Sequence, residues 1–150
     1  MQHTISVLVV NQFGVLSRIS GLFSGRGFNI ESLNVAETNE SGISRMTIIT
    51  RGDDKKIEQI TKQLNKLVDV IKVIDLTEEH FVDRELILVK MNAEARVREE
   101  ILRIVDIFRA KVIDVNHDNY TVEITGDEGK IKGFLDLLKP LGIKEIVRSG

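Results

Sequence analysis

Residues Asn11 to Ser32 read NQFGVLSRISGLFSGRGFNIES. Val15, Leu16, Ile19, Leu22 and Phe23 fall at i, i+1, i+4, i+7 and i+8, which predicts a helix with a single apolar stripe. Gly25-Arg26-Gly27 ends it, because glycine adopts the left-handed conformation that a helix C-terminus often requires. Before the helix, Ile5 to Val10 reads as a strand and Asn11-Gln12-Phe13-Gly14 as a turn. After it, Phe28-Asn29-Ile30 opens a second extended segment.

The chemistry of this stretch lies in its backbone. A helix starting near Gly14 leaves about four amides without intrahelical acceptors, and the macrodipole adds roughly half a positive charge there. A glycine in the turn lets a ligand come close to the main chain. Such a corner suits a small anion, for example an amino-acid carboxylate. Asn11 before the helix and Asn29 on the next strand offer polar side chains. The alternative is an ordinary strand-turn-helix corner, capped by Asn11 or by water.

Working outward, Ile5 to Val10 has only Ser6 as a polar residue, as expected of a central strand. Phe28 to Thr38 is extended, but its apolar residues change parity between Ile30 and Leu33, so a bulge is expected near Glu31-Ser32. Asn39-Glu40-Ser41-Gly42 is a turn, and Ile43 to Thr50 a strand with Met46 and Ile48 on one face. Gly52-Asp53-Asp54 caps a second helix with the stripe Ile57, Ile60, Leu64, Leu67 and Val68. Val70 to Leu76 is a fourth strand. This order, β-α-β-β-α-β, is that of the ferredoxin-like class.

Thr77 to Asp83 (TEEHFVD) reads as a linker, after which the order repeats. Leu86 to Met91 is a strand, and Val97, Ile101, Ile104, Val105 and Phe108 form a helical stripe. Val112 to Val115 and Tyr120 to Thr125 flank the turn Asn116-His117-Asp118-Asn119. Ile131, Phe134, Leu135 and Leu138 form a last helix, ended by Pro140, and Ile143 to Val147 a final strand. The fold class is therefore α+β, with two tandem ferredoxin-like domains, residues 1–77 and 78–150. The repeat is one of pattern, not of residues. Units this small, with open sheet edges, favour self-association into a homodimer.

The chain of 150 residues is 42% hydrophobic and 29% charged, with a net charge of −2 and no cysteine. It offers no basic stripe for nucleic acid, no apolar run of the ~20 residues that span a membrane, and no start resembling a signal peptide. A cytoplasmic location is expected. His3, His80 and His117 are expected on the surface, and no two have metal-pair spacing. Gly25-Arg26-Gly27 follows a helix instead of a strand, so it is no dinucleotide fingerprint. Asp53 and Asp54 read as a cap, and Arg45 and Arg51 as partners in cross-strand ion pairs. No nucleophile, base and orienting group assemble into a catalytic site.

Ile5 to Leu76 resembles an ACT domain, a small ligand-binding module of amino-acid metabolism. GLFSGRGFNIESL at Gly21 to Leu33, SRMTI at Ser44 to Ile48, QLNKLVDVIKV at Gln63 to Val73 and RELILVK at Arg84 to Lys90 together resemble the small, regulatory subunit of acetolactate synthase (acetohydroxyacid synthase). The resemblance implies a chain with no catalytic activity and no cofactor of its own. Its partner would be a large catalytic subunit using thiamine diphosphate, magnesium and FAD to join two 2-oxo acids in branched-chain amino-acid synthesis. The small subunit would raise that activity and confer feedback inhibition, usually by valine.

The resemblance also implies an effector at the ACT dimer interface, between a helix start of one chain and a strand of its neighbour. On this sequence the matching positions are Asn11, Gly14, Val15, Leu16, Asn29 and Ile30. The amides of Gly14 to Leu16 would hold the carboxylate, with Asn11 and Asn29 at the polar ends. The second unit resembles the family's C-terminal domain, which takes part in assembly. Phe13 stands where many ACT domains have proline, and many relatives continue past Gly150. A free-standing amino-acid sensor is the alternative, though no helix-turn-helix or basic patch accompanies it. An enzyme with an unfamiliar site is a third reading.

Overall fold

Strand β1, Gln2–Val10, lies inside a four-stranded antiparallel sheet and is paired on both sides. The structure is a computed structural model that describes residues 1–150. It divides into two units, Met1–Phe81 and Val82–Gly150.

In the first unit, β1 is followed by α1 (Val15–Gly25), β2 (Ile30–Glu37), β3 (Ile43–Arg51), α2 (Asp54–Asn65) and β4 (Val70–Asp75). The sheet order is β2-β3-β1-β4. Ile5, Val7 and Val9 share one face of β1 and pack against Val15, Ile19 and Phe23 of α1 and Ile57, Ile60 and Leu64 of α2. Each such side chain, fully buried, contributes about 1.5–3 kcal/mol. This shared core, more than helix propensity, holds α1 in place. Asp53 caps α2 by accepting from Lys56 N–H at 2.8 Å, as its sequence suggests.

The bulge expected near Glu31-Ser32 is present. The β2–β3 register shifts between Ile30 and Ser32, and Ile30 and Leu33 both reach the core. Arg51 pairs with Glu31 across the same strands at 2.6 Å; Arg45, of which the same was expected, is exposed with no carboxylate partner.

Three further expectations fail. Helix α2 stops at Asn65, so Val68 leaves the stripe and is 94% exposed. Leu16 sits on the flank of the first turn of α1 and is 46% exposed. His3 is buried, because β1 begins at Gln2 instead of Ile5 and carries it into the sheet opposite Thr50. Its Nδ1 lies 3.1 Å from Asp75 Oδ2.

The second unit repeats the architecture. It runs β5 (Glu85–Asn92), α3 (Ala95–Ile107), β6 (Lys111–Val115), β7 (Asn119–Gly126), α4 (Glu128–Leu138), a 3-10 turn at Lys139–Leu141 and β8 (Ile143–Arg148). Its sheet order is β6-β7-β5-β8. Ile87, Val89 and Met91 of β5 pack against Ile101, Ile104 and Phe134, with Phe108 edge-on to Phe134 at 5.4 Å. Glu85 and Arg148 join β5 to β8 through two parallel hydrogen bonds of 2.6 and 2.9 Å. The chain is thus the α+β, tandem ferredoxin-like protein that its sequence predicts.

Candidate functional site

Gly14 occupies the N-cap of α1 with φ +84° and ψ −4°, a left-handed conformation that glycine adopts without strain. It has no side chain to accept from the first turn, and no other residue supplies a side-chain cap. Asn11, a candidate cap, instead donates its backbone N–H to the Gly42 carbonyl at 2.7 Å. Val15 N–H donates to the Gln12 carbonyl at 3.4 Å, and Arg18 N–H to the Gly14 carbonyl at 3.0 Å. The amides between them, of Leu16 and Ser17, meet no acceptor from the chain. An N-cap side chain normally accepts from one of these two amides. Glycine leaves them open to an anion at the positive end of the helix.

The side chains of the candidate residues divide. Val15 turns its side chain into the core, 4% exposed. Asn11 and Leu16 are exposed. Asn29 is exposed with an unpaired side chain, and its carbonyl accepts from Thr50 Oγ1 at 2.7 Å. Ile30 is half-buried on the core.

One chain does not bring these residues together. Ile30 and His3 both pair with Thr50, so they lie at the same level of the sheet. Asn11 lies at the other end of β1; at about 3.3 Å per residue, the run from His3 to Asn11 covers roughly 25 Å. Asn11, Gly14, Val15 and Leu16 therefore form one corner, and Asn29 and Ile30 stand at the far end of the same sheet.

Two residues at the corner are absent from the sequence-based set. Ser17 is one of the open amides, legible by counting three residues on from the cap. Arg18, one turn after Gly14, places Nη1 3.0 Å from where a Cβ on Gly14 would sit. Its Nε and Nη2 donate to Asp69 Oδ2 at 2.9 and 2.5 Å.

At the far end, burial alone would push Asp75 up. Hydrogen bonds from the Thr77 side chain and backbone and from His3, with the attraction of His3, outweigh it and hold the carboxyl below its ordinary value. His3 Nε2 is buried without a hydrogen-bond partner, 3.8 Å from Asp54 Oδ1. No group of three or more His, Asp or Glu side chains is arranged to hold a metal ion, and no helix is long and apolar enough to cross a membrane.

Comparison with known proteins covers both units. Residues 5–72 match the family described as the AHAS small subunit-like ACT domain, and residues 84–150 the family described as the small subunit of acetolactate synthase. An Aquifex aeolicus acetolactate synthase small subunit is 55% identical over 150 residues, covering 99% of this chain and 78% of that protein. The acetolactate synthase small subunit of Mycobacterium bovis is 52% identical over 148 residues, covering 99% of this chain and 88% of that one. The crystal structure of the acetolactate synthase small subunit from Thermotoga maritima superposes with a TM-score of 0.91 at 43% identity, covering 100% of this chain and 94% of that chain.

Proposed function

The chain belongs to the acetolactate synthase small-subunit family, and from that premise we propose that it regulates a large, thiamine diphosphate-dependent catalytic subunit, raising its activity and making it sensitive to a branched-chain amino acid, valine first. Thiamine diphosphate, magnesium and FAD belong to the partner, and the complex works in the cytoplasm.

The effector carboxylate sits on the open amides of Leu16 and Ser17, beside Asn11. Asn29 and Ile30 of a second copy complete the site. The observation that carries this reading is the separation of the candidate residues to opposite ends of one sheet. β2 is an edge strand, and its second half, Asn34 to Glu37, is exposed. If the β2 strands of two copies pair antiparallel, the start of one β2 meets the end of the other. That end of the sheet carries Gly14, because β1 and β2 run in the same direction on either side of β3. Val35 supports the pairing: it stands opposite buried Met46 yet remains 40% exposed at the edge.

The test is the rate of acetolactate formation by the catalytic subunit, alone, with this chain, and with this chain plus increasing valine. The chain alone forms no acetolactate, its addition raises the partner's rate, and valine lowers the rate of the complex. A rate unchanged by the chain overturns the proposal.

A further inference from the structure

The pairing of Arg18 with Asp69 is incomplete. Nε and Nη2 converge on one carboxylate oxygen, Oδ2, at 2.9 and 2.5 Å. The pair between Arg148 and Glu85 instead uses both carboxylate oxygens, fork to fork. Arg18 Nη1 meets no acceptor and lies over the Gly14 turn, 3.0 Å from where a Cβ on Gly14 would sit. The partners also differ in freedom. The Arg18 side chain is 49% exposed, whereas Asp69 is 13% exposed and its carbonyl is tied to Val10 N–H at 2.8 Å. Asp69 is thus a fixed anion, and Arg18 a half-solvated cation with a spare donor aimed at the corner.

We propose that Arg18 is shared between Asp69 and the carboxylate of the effector, so that the two anions compete for one guanidinium. This rests on the reading of the Gly14 corner as the effector site. Arg18 becomes a specificity-determining residue: it demands a free α-carboxylate, and Asp69 sets how much of its charge the effector receives.

The experiment is calorimetric titration of the full chain with L-valine for wild type, Arg18→Gln and Asp69→Asn, with thermal unfolding of each. Arg18→Gln weakens valine by roughly tenfold or more, the worth of one hydrogen bond to a charged group. Asp69→Asn removes the competitor and tightens valine several-fold. The opposite signs are diagnostic, because a merely structural bridge is broken by either change and both would then weaken binding. L-valinol, which lacks the carboxylate, binds wild type and Arg18→Gln alike. Weaker or unchanged binding by Asp69→Asn overturns the inference, and so does unchanged binding by Arg18→Gln. If Arg18→Gln does not fold, the sign for Asp69→Asn still decides. A wild-type chain that binds no valine overturns the site itself, a result distinct from same-sign variants of a chain that does bind.

Discussion

Nη1 of Arg18 stands 3.0 Å from the point where a Cβ on Gly14 would sit. Position 14 favours glycine through its φ of +84°, and a Cβ there also displaces the flexible end of Arg18. Gly14→Asp therefore carries a backbone cost of about 1–2 kcal/mol and pushes Arg18 from its seat. The new carboxylate also occupies the corner proposed for the effector carboxylate. The expected outcome is a folded chain that still activates its partner but no longer responds to valine, read as partner activity against valine concentration. Gly14→Ala separates the terms: it keeps the strain and the Arg18 contact without the charge, and shows a smaller loss of sensitivity.

Asn29 is held by its backbone, through Thr50 Oγ1, while its side chain is free. Asn29→Ala weakens valine by about one neutral hydrogen bond, on the order of 0.5–1.5 kcal/mol, and leaves the melting temperature unchanged. Thr50 is fully buried, so Thr50→Val preserves the packing and loosens the start of β2. It lowers valine affinity in the same direction, and Thr50→Ser restores it.

The fold was legible because its signals are local. The stripes of α1 and α2 repeat at helical spacing, and the parity change between Ile30 and Leu33 marked the bulge. The local pattern misleads where it outruns its element. Val68 continues the spacing of Ile57, Ile60 and Leu64, but the helix has ended at Asn65. His3 looked like a terminal surface residue because its partner, Asp75, is 72 positions away. The Gly14 corner was visible for the same local reason as α1. Arg18 was not, since its partner lies on the loop before β4, and nothing local reveals that Asn29 and Gly14 stand at opposite ends of the sheet.

Asp75 predicts a pH dependence. Burial would raise its pKa, but the Thr77 and His3 hydrogen bonds win, so the folded carboxyl titrates below its ordinary 3.8. A depressed carboxyl adds stability above its unfolded pKa and loses it as pH falls through the folded value. The stabilisation is therefore present at neutral pH and disappears below 3.8. Asp54, 3.8 Å from His3 Nε2, is the other carboxylate facing this cluster. Urea unfolding of wild type and Asp75→Asn should differ at pH 7 and converge at the acid end. Thr77→Val removes a hydroxyl donor and shifts the acid limb of the wild-type curve upward.

Glu85 predicts a salt dependence in the second unit. The Arg148 hydrogen bonds lower its pKa against the opposing effect of burial, and the charge of Arg148 adds to them. Glu85 is 14% exposed but Arg148 is 50% exposed, so water screens part of the attraction. Glu85→Gln costs the second unit about 1 kcal/mol at low ionic strength. The difference narrows in molar salt, where the Debye length falls to about 3 Å. Unfolding of wild type and variant at the two salt concentrations reads both effects.

The proposed division of the site between two copies predicts complementation. Consider homodimers of Gly14→Asp, which lack the corner, and of Asn29→Ala, which lack the opposing side chain. In a mixed dimer one site joins the altered corner to the altered strand and carries both defects. The other joins the unaltered corner of the Asn29→Ala chain to the unaltered strand of the Gly14→Asp chain, and is intact. Refolding an equal mixture should restore one wild-type-affinity valine site per mixed dimer, seen by titration and as partial recovery of inhibition. Binding should also stabilise the dimer, because in the proposed site the ligand touches both chains. If each site lay within one chain, every chain in the mixture would keep its own defect and nothing would be recovered. A sedimentation profile of monomers at micromolar concentration, with or without valine, would refute the shared site by a second route.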